Sequence, residues 1–191
     1  MYRKPEEYNR MCMLAIDIII DYDIKTYPLN MYTLCDSMGF DYVKYSSWGD
    51  KRELLIKKSN DGFSSYDDPT IKPKIYYNES CISTRIKHTL GHEIKHIVER
   101  DIDDSEDDLC DYFSKYLRCP LPYVIYLDIK SISEIISKFK ISHEQATYVM
   151  SNLCYRSRKY GNAYFEYEVP LLKHLLGEKY NEKEFKIIKS N

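Results

Sequence analysis

Residues 74–98 read KIYYNESCISTRIKHTLGHEIKHIV, and residues 106–120 read EDDLCDYFSKYLRCP. From Ser80 the apolar residues Ile82, Ile86, Leu90, Ile94 and Val98 recur every four positions, which predicts one helix through about Arg100. Inside it stands His92-Glu93-Ile94-Lys95-His96, an HExxH. At 3.6 residues per turn, His92 and His96 lie about 40° apart and one turn along the axis. Imidazoles so placed can grip one Zn²⁺ at about 2.0–2.1 Å. Glu93 lies about 100° round from His92. It is too far round to ligate but placed to act as general base on a metal-activated water. With five His and 14 Glu in 191 residues, chance supplies roughly 0.01 such motifs. Gly91, inside the helix, points to close backbone packing beside His92, because a mid-helix Gly costs about 1 kcal/mol against Ala.

A catalytic zinc site takes a third protein ligand and keeps one open position. The acidic stretch DIDDSEDD at 101–108 supplies two candidates, Glu106 and Asp107. A helix predicted from about Ser105 to Leu117, with Ser105 as cap and Asp108 completing an approximate capping box, buries Leu109, Phe113 and Leu117. Glu106 projects near the centre of that stripe and Asp107 to its side. Asp111, one turn beyond Asp107, is placed to hydrogen-bond a ligating His. Lys95 is expected either to reach the acidic stretch as a surface salt bridge or to set a positive charge near the metal.

Outward from this region, 6–22 reads as a helix with Met11, Leu14, Ala15, Ile18 and Ile19 on one face. LNMYTLCDSMG (29–39) reads as a short helix ended by Gly39. FDYVKY (40–45), RELLIKK (52–58), GFSSY (62–66) and KIYYN (74–78) read as strands, with a turn signal at Asp61-Gly62. Pro120 and Pro122 end the second long helix. SISEIISKF, HEQATYVMSNL and VPLLKHLL then predict a helical C-terminal part. The fold class is α+β: a core over 1–122 with N-terminal helices, a small antiparallel or mixed sheet and the HExxH helix, and a helical subdomain over 123–191.

Composition narrows the function classes. The chain is 43% hydrophobic and 30% charged, with 28 basic and 30 acidic residues, which excludes a disordered chain and a broadly basic nucleic-acid coat. No run reaches the roughly 18 apolar residues of a membrane span. MCMLAIDIII (11–20) is interrupted by Asp17 and does not read as a signal, so a cytoplasmic protein with no membrane partner is expected. The six Cys form no CxxC, so they read as reduced core residues rather than a thiolate zinc site. The excess of Tyr, 20 residues, reads as compositional bias.

The two quoted segments resemble the ImmA/IrrE family of metallopeptidases. Asn78, Arg85, Thr89, His92, Glu93, His96, Asp111, Phe113, Leu117 and Pro120 fall in register with that family's pattern. The resemblance implies a zincin-like core, Zn²⁺ as cofactor and Glu93 as catalytic base. His92 and His96 would be metal ligands, and the register at Phe113 puts the third ligand at Asp107. Lys95, Cys110 and His88 depart from the pattern. The implied activity is a metalloendopeptidase, a hydrolase making a site-specific cut in a helix-turn-helix repressor of a mobile element, phage or stress operon. Two other readings stand beside it. One is a zinc-holding regulator without catalysis. The other is DNA binding through ISEIISKFKISHEQATYVMSNL (132–153), which has helix-turn-helix spacing; its second helix offers His143, Gln145 and Asn152, with Arg156, Arg158 and Lys159 only afterwards. Tyr76 and Tyr77 read as packing residues, with oxyanion donation as the sharper alternative.

Overall fold

A computed structural model of the chain describes residues 3–66, 70–100 and 106–189. The fold is α+β and mostly helical, with a small mixed sheet. No helix among the described residues is long and apolar enough to cross a membrane. The chain forms two compact units, 30–115 and 1–29 with 116–191. This grouping differs from the expected division at 122, because the first helix groups with the C-terminal elements.

In the unit 30–115, helix α2 (Met31–Ser37) starts at Asn30, whose side chain accepts from the amides of Tyr32 and Thr33. Gly39 follows at φ +75°, where a left-handed turn favours glycine. Strand β1 (Asp41–Lys44) comes next, then a 3₁₀ segment and helix α3 (Arg52–Lys58). Strands β2 (Gly62–Ser65) and β3 (Lys74–Tyr77) complete a sheet of order β1-β3-β2. β3 runs parallel to β1, with Ile75 opposite Tyr42, and antiparallel to β2, with Tyr76 opposite Phe63. Among the described residues β2 is therefore an edge strand.

The expectation of a strand at 52–58 is wrong. The Leu54-Leu55-Ile56 run suggested one, but Glu53 in the first turn and Lys57 and Lys58 in the last suit a helix macrodipole. α3 buries no residue, and Leu54 is exposed, so no core face was present to impose a period of two.

Helix α4 (Ser83–Glu99) buries Ile86, Leu90 and Ile94 as the periodicity predicts, whereas Ile82, at the N-cap, and Val98, in the last turn, are exposed; the helix ends at Arg100 in the left-handed region. It packs on β2 and β3. Gly62 is what permits that approach: a Cβ there would lie 2.5 Å from Thr89 Cγ2 and 2.6 Å from the Tyr76 carbonyl oxygen. Helix α5 (Asp107–Arg118) carries Asp107 and Asp108 in its first turn. The expected Ser105 cap lies outside the described residues. Gly91 of α4 faces Ser114 of α5, and a Cβ on it would overlap the Ser114 hydroxyl and stand 3.1 Å from Ser114 Cβ. The glycine is thus the close-packing residue its position implied.

In the other unit, helix α1 (Pro5–Asp21) buries Met11, Ala15, Ile18 and Ile19. Pro120 and Pro122 do more than end α5. They open a further short helix, α6 (Leu121–Tyr126), with Pro120 at its N-cap. Helices α7 (Ile132–Phe139) and α8 (His143–Tyr160) pair across a turn at Lys140, and Ile135, Phe139, Ala146 and Val149 share one core with Tyr27 and Val124. A two-stranded ribbon of β4 (Tyr164–Phe165) and β5 (Ile187–Ile188) flanks helix α9 (Val169–Leu176), which packs with α1. Arg156 is buried and makes a two-pronged ion pair to Glu168 at 2.5 and 2.6 Å.

Replacing Gly91 with Ala tests the α4–α5 contact. Helix propensity alone would add about 1 kcal/mol. Crowding against Ser114, whose hydroxyl is held 2.8 Å from the His88 carbonyl, costs about 1–3 kcal/mol. Urea unfolding is expected to report a net loss of stability for Gly91→Ala, partly relieved by Ser114→Gly. A net gain would mean that the helices are not in contact there.

Candidate metal centre

α4 presents His88, His92 and His96 along one line, and α5 presents Asp107, Cys110, Asp111 and Ser114 toward them. The Nε2 atoms of His92 and His96 are 3.2 Å apart. Asp107 Oδ1 lies 3.6 Å from His92 Nε2 and 3.5 Å from His96 Nε2. Nitrogen and oxygen ligands on a tetrahedral zinc lie about 3.3–3.5 Å from one another. The three atoms therefore have the mutual spacing of a coordination shell, and their chemistry suits zinc. His96 is 9% exposed, whereas the Asp107 side chain is 57% exposed, so the carboxylate approaches from the solvent side.

Asp111 sits behind the pair. Its Oδ1 is 2.9 Å from His92 Nδ1 and 3.0 Å from His88 Nε2. A carboxylate accepting from Nδ1–H fixes the ring with Nε2 bare, the tautomer a metal requires. This is the placement the spacing suggested for Asp111. Burial pulls the His92 pKa down, but the hydrogen bond and charge of Asp111, with Glu93 and Asp107 nearby, raise it overall. Burial pushes Asp111 up, yet its bonds to the two histidines leave it far below the usual carboxylate range. His88 is committed to Asp111 and, through Nδ1 at 3.1 Å, to Ser114. Both ring nitrogens of His88 are thus engaged away from the His92–His96 pair.

Glu93 is 7% exposed and lines a cleft of about 610 Å³ with His92, His96, Asp107, Asp111, Ser64, Tyr66 and Arg85. Its Oε2 accepts a 2.7 Å bond from the Ser64 hydroxyl on β2. Arg85 crosses the cleft wall to Asp61 and holds that carboxyl below its ordinary range. Asn78 braces the wall from behind, donating to the Asn60 carbonyl at 2.9 Å. Tyr76 stacks on Phe63 with ring centres 5.0 Å apart, and Tyr77 is buried; neither lines the cleft.

Two expectations are revised. Glu106, the alternate third ligand, is turned to Lys95, whose Nζ lies 2.5 Å from its carboxylate and 3.1 Å from Glu99. Lys95 is fully buried and so is not a surface ion pair; a buried ammonium needs such partners. The second revision concerns thiolates. Cys81 and Cys154 are not buried, and Cys110 joins His92 and His96 in a group whose ligand atoms lie within 4.8 Å of one another. Sequence reasoning missed Cys110 because it sought cysteine pairs close in sequence. The available signal was its place on α5, one turn after Asp107 and beside Asp111.

These positions separate two kinds of variant. Asp107→Ala is expected to weaken zinc affinity, and Asp111→Ala to weaken it about 10–100-fold. Glu106→Ala is expected to leave affinity nearly unchanged and to lower stability by about 1–3 kcal/mol by stripping a partner from Lys95. Zinc titration and urea unfolding of the three variants check this, and a larger affinity loss at Glu106 than at Asp107 would reverse the assignment. No protein-family model and no curated protein matches the chain.

Proposed function

We propose that the chain is a zinc-dependent endopeptidase with a zincin-like core of the ImmA/IrrE kind, acting in the cytoplasm on a partner helix-turn-helix repressor. One observation carries the reading: two imidazole Nε2 atoms 3.2 Å apart share a cleft with the buried Glu93 carboxylate. His92, His96 and Asp107 would hold the metal, with His92 kept in the required tautomer by Asp111. Zinc, when bound, would supply polarisation of the scissile carbonyl and acidification of water to a pKa of about 7.

The chain's own groups do the rest. Among the described residues Glu93 is held only by Ser64, through Oε2, which leaves Oε1 to take a proton from the attacking water and return it to the leaving amine. Ser64 fixes the carboxylate so that little reorganisation accompanies the transfer. Among the described residues β2 pairs with β3 alone, and Gly62, Phe63 and Ser64 line the cleft. An extended substrate segment can add to the free edge of β2 through main-chain hydrogen bonds. Such a groove takes a short extended stretch of peptide, which suits one cut in an exposed loop rather than processive degradation.

A zinc-holding regulator without catalysis is favoured by one feature, the extra donor at Cys110, since four protein ligands would close the site. DNA binding by the α7–α8 pair is less supported, because Arg156 is buried against Glu168 and so cannot reach phosphate.

Incubation with a helix-turn-helix repressor encoded beside the chain's own gene, with zinc or with chelator, tests the proposal. A single zinc-dependent cut is expected. Glu93→Gln should keep the metal and lose about 10²–10⁴-fold in cleavage rate. Normal cleavage by that variant would remove Glu93 from the role of base. No cleavage at any zinc level, with salt-sensitive duplex binding, would overturn the peptidase reading.

A further inference from the structure

Asp107, Cys110, Asp111 and Ser114 fall within an arc of roughly 100° on α5, and the resemblance accounts for the first and third alone. Cys110 is fully buried. Its Sγ lies 3.4 Å from His96 Nε2. A thiolate sulfur and an imidazole nitrogen on one tetrahedral zinc stand about 3.5–3.6 Å apart. The sulfur is thus at coordination distance from the same nitrogen that faces His92 Nε2 at 3.2 Å. Asp107, more than half exposed, faces the same two nitrogens at 3.5 and 3.6 Å.

We infer that Cys110 is a metal ligand, that His92, His96 and Cys110 form the permanent donor set, and that Asp107 is the exchangeable donor on the solvent side. In the metal-free protein the thiol can donate its hydrogen to His96 Nε2. On binding, the Sγ–H bond breaks, Sγ and Nε2 each form a bond to the metal, and one proton leaves to solvent with no change of oxidation state. The donor set has a consequence for metal choice. Two imidazoles and a thiolate favour zinc and disfavour magnesium, calcium and manganese, which take oxygen ligands. It also gives Asp107 a function: a carboxylate that leaves as substrate enters converts a closed site into an open one. The inference rests on the metal-binding part of the function proposed above and not on cleavage.

Cobalt(II) titration of the full-length protein tests it without reference to activity. The wild-type complex is expected to show an intense near-ultraviolet thiolate-to-cobalt charge-transfer band. Cys110→Ser should still bind cobalt through the histidines, lose that band, and bind roughly tenfold or more weakly. Asp107→Asn should keep the band and alter the visible d–d envelope. Zinc-edge absorption of the wild type supplies a measurement free of any folding defect in the variants, with one sulfur neighbour expected at about 2.3 Å. Cobalt bound without the band, or zinc with no sulfur neighbour, overturns the Cys110 assignment and leaves the histidine site standing. Failure to bind cobalt at all overturns both.

Discussion

The candidate site depends on how closely α4 and α5 approach. That approach is set where Gly91 meets Ser114, a position with no room for a Cβ. With the two backbones this close, histidines on α4 and short acceptors on α5 converge at coordination distance rather than facing one another across solvent. The same contact brings Ser114 to the His88 carbonyl at 2.8 Å and Asp111 to His92 at 2.9 Å. One packing constraint thus positions the donors and orients the rings.

Around that contact the charges are sorted. Lys95, one residue before His96, could have disfavoured a cation in the cleft. Its ammonium is instead fully buried and paired with Glu99 and Glu106. The acidic start of α5 therefore serves two ends. Glu106 neutralises Lys95, and Asp107 faces the imidazole pair. Glu106 precedes α5 and Asp107 opens it, so the neighbouring carboxylates take different partners. On the β2 side, Ser64 holds Glu93 in the same cleft while Gly62 lets the strand lie against Thr89.

Much of this was legible in the residues. The four-residue apolar recurrence from Ile82 to Val98 located α4, and HExxH placed two histidines on one face and Glu93 beside them. Spacing alone placed Asp111 behind a histidine. Other features lay beyond such reasoning for physical reasons. α3 was misread as a strand because an exposed helix with three consecutive apolar residues leaves no periodic signature. The grouping of α1 with the C-terminal elements depends on contacts across most of the chain, which no local pattern encodes. Cys110 was passed over because its partners lie on another helix, 14 and 18 positions away in sequence. The choice between Glu106 and Asp107 turned on where Lys95 goes, and only tertiary packing decides that.

The proposed function requires that α4 and α5 together hold one metal ion through the HExxH histidines. The most direct measurement is the metal content of the purified protein, by elemental analysis, for the wild type and for His96→Ala. About one zinc per wild-type chain is expected, absent from a His96→Ala protein that remains folded. A wild type with no transition metal after zinc reconstitution, or a His96→Ala variant that keeps its zinc, would contradict it.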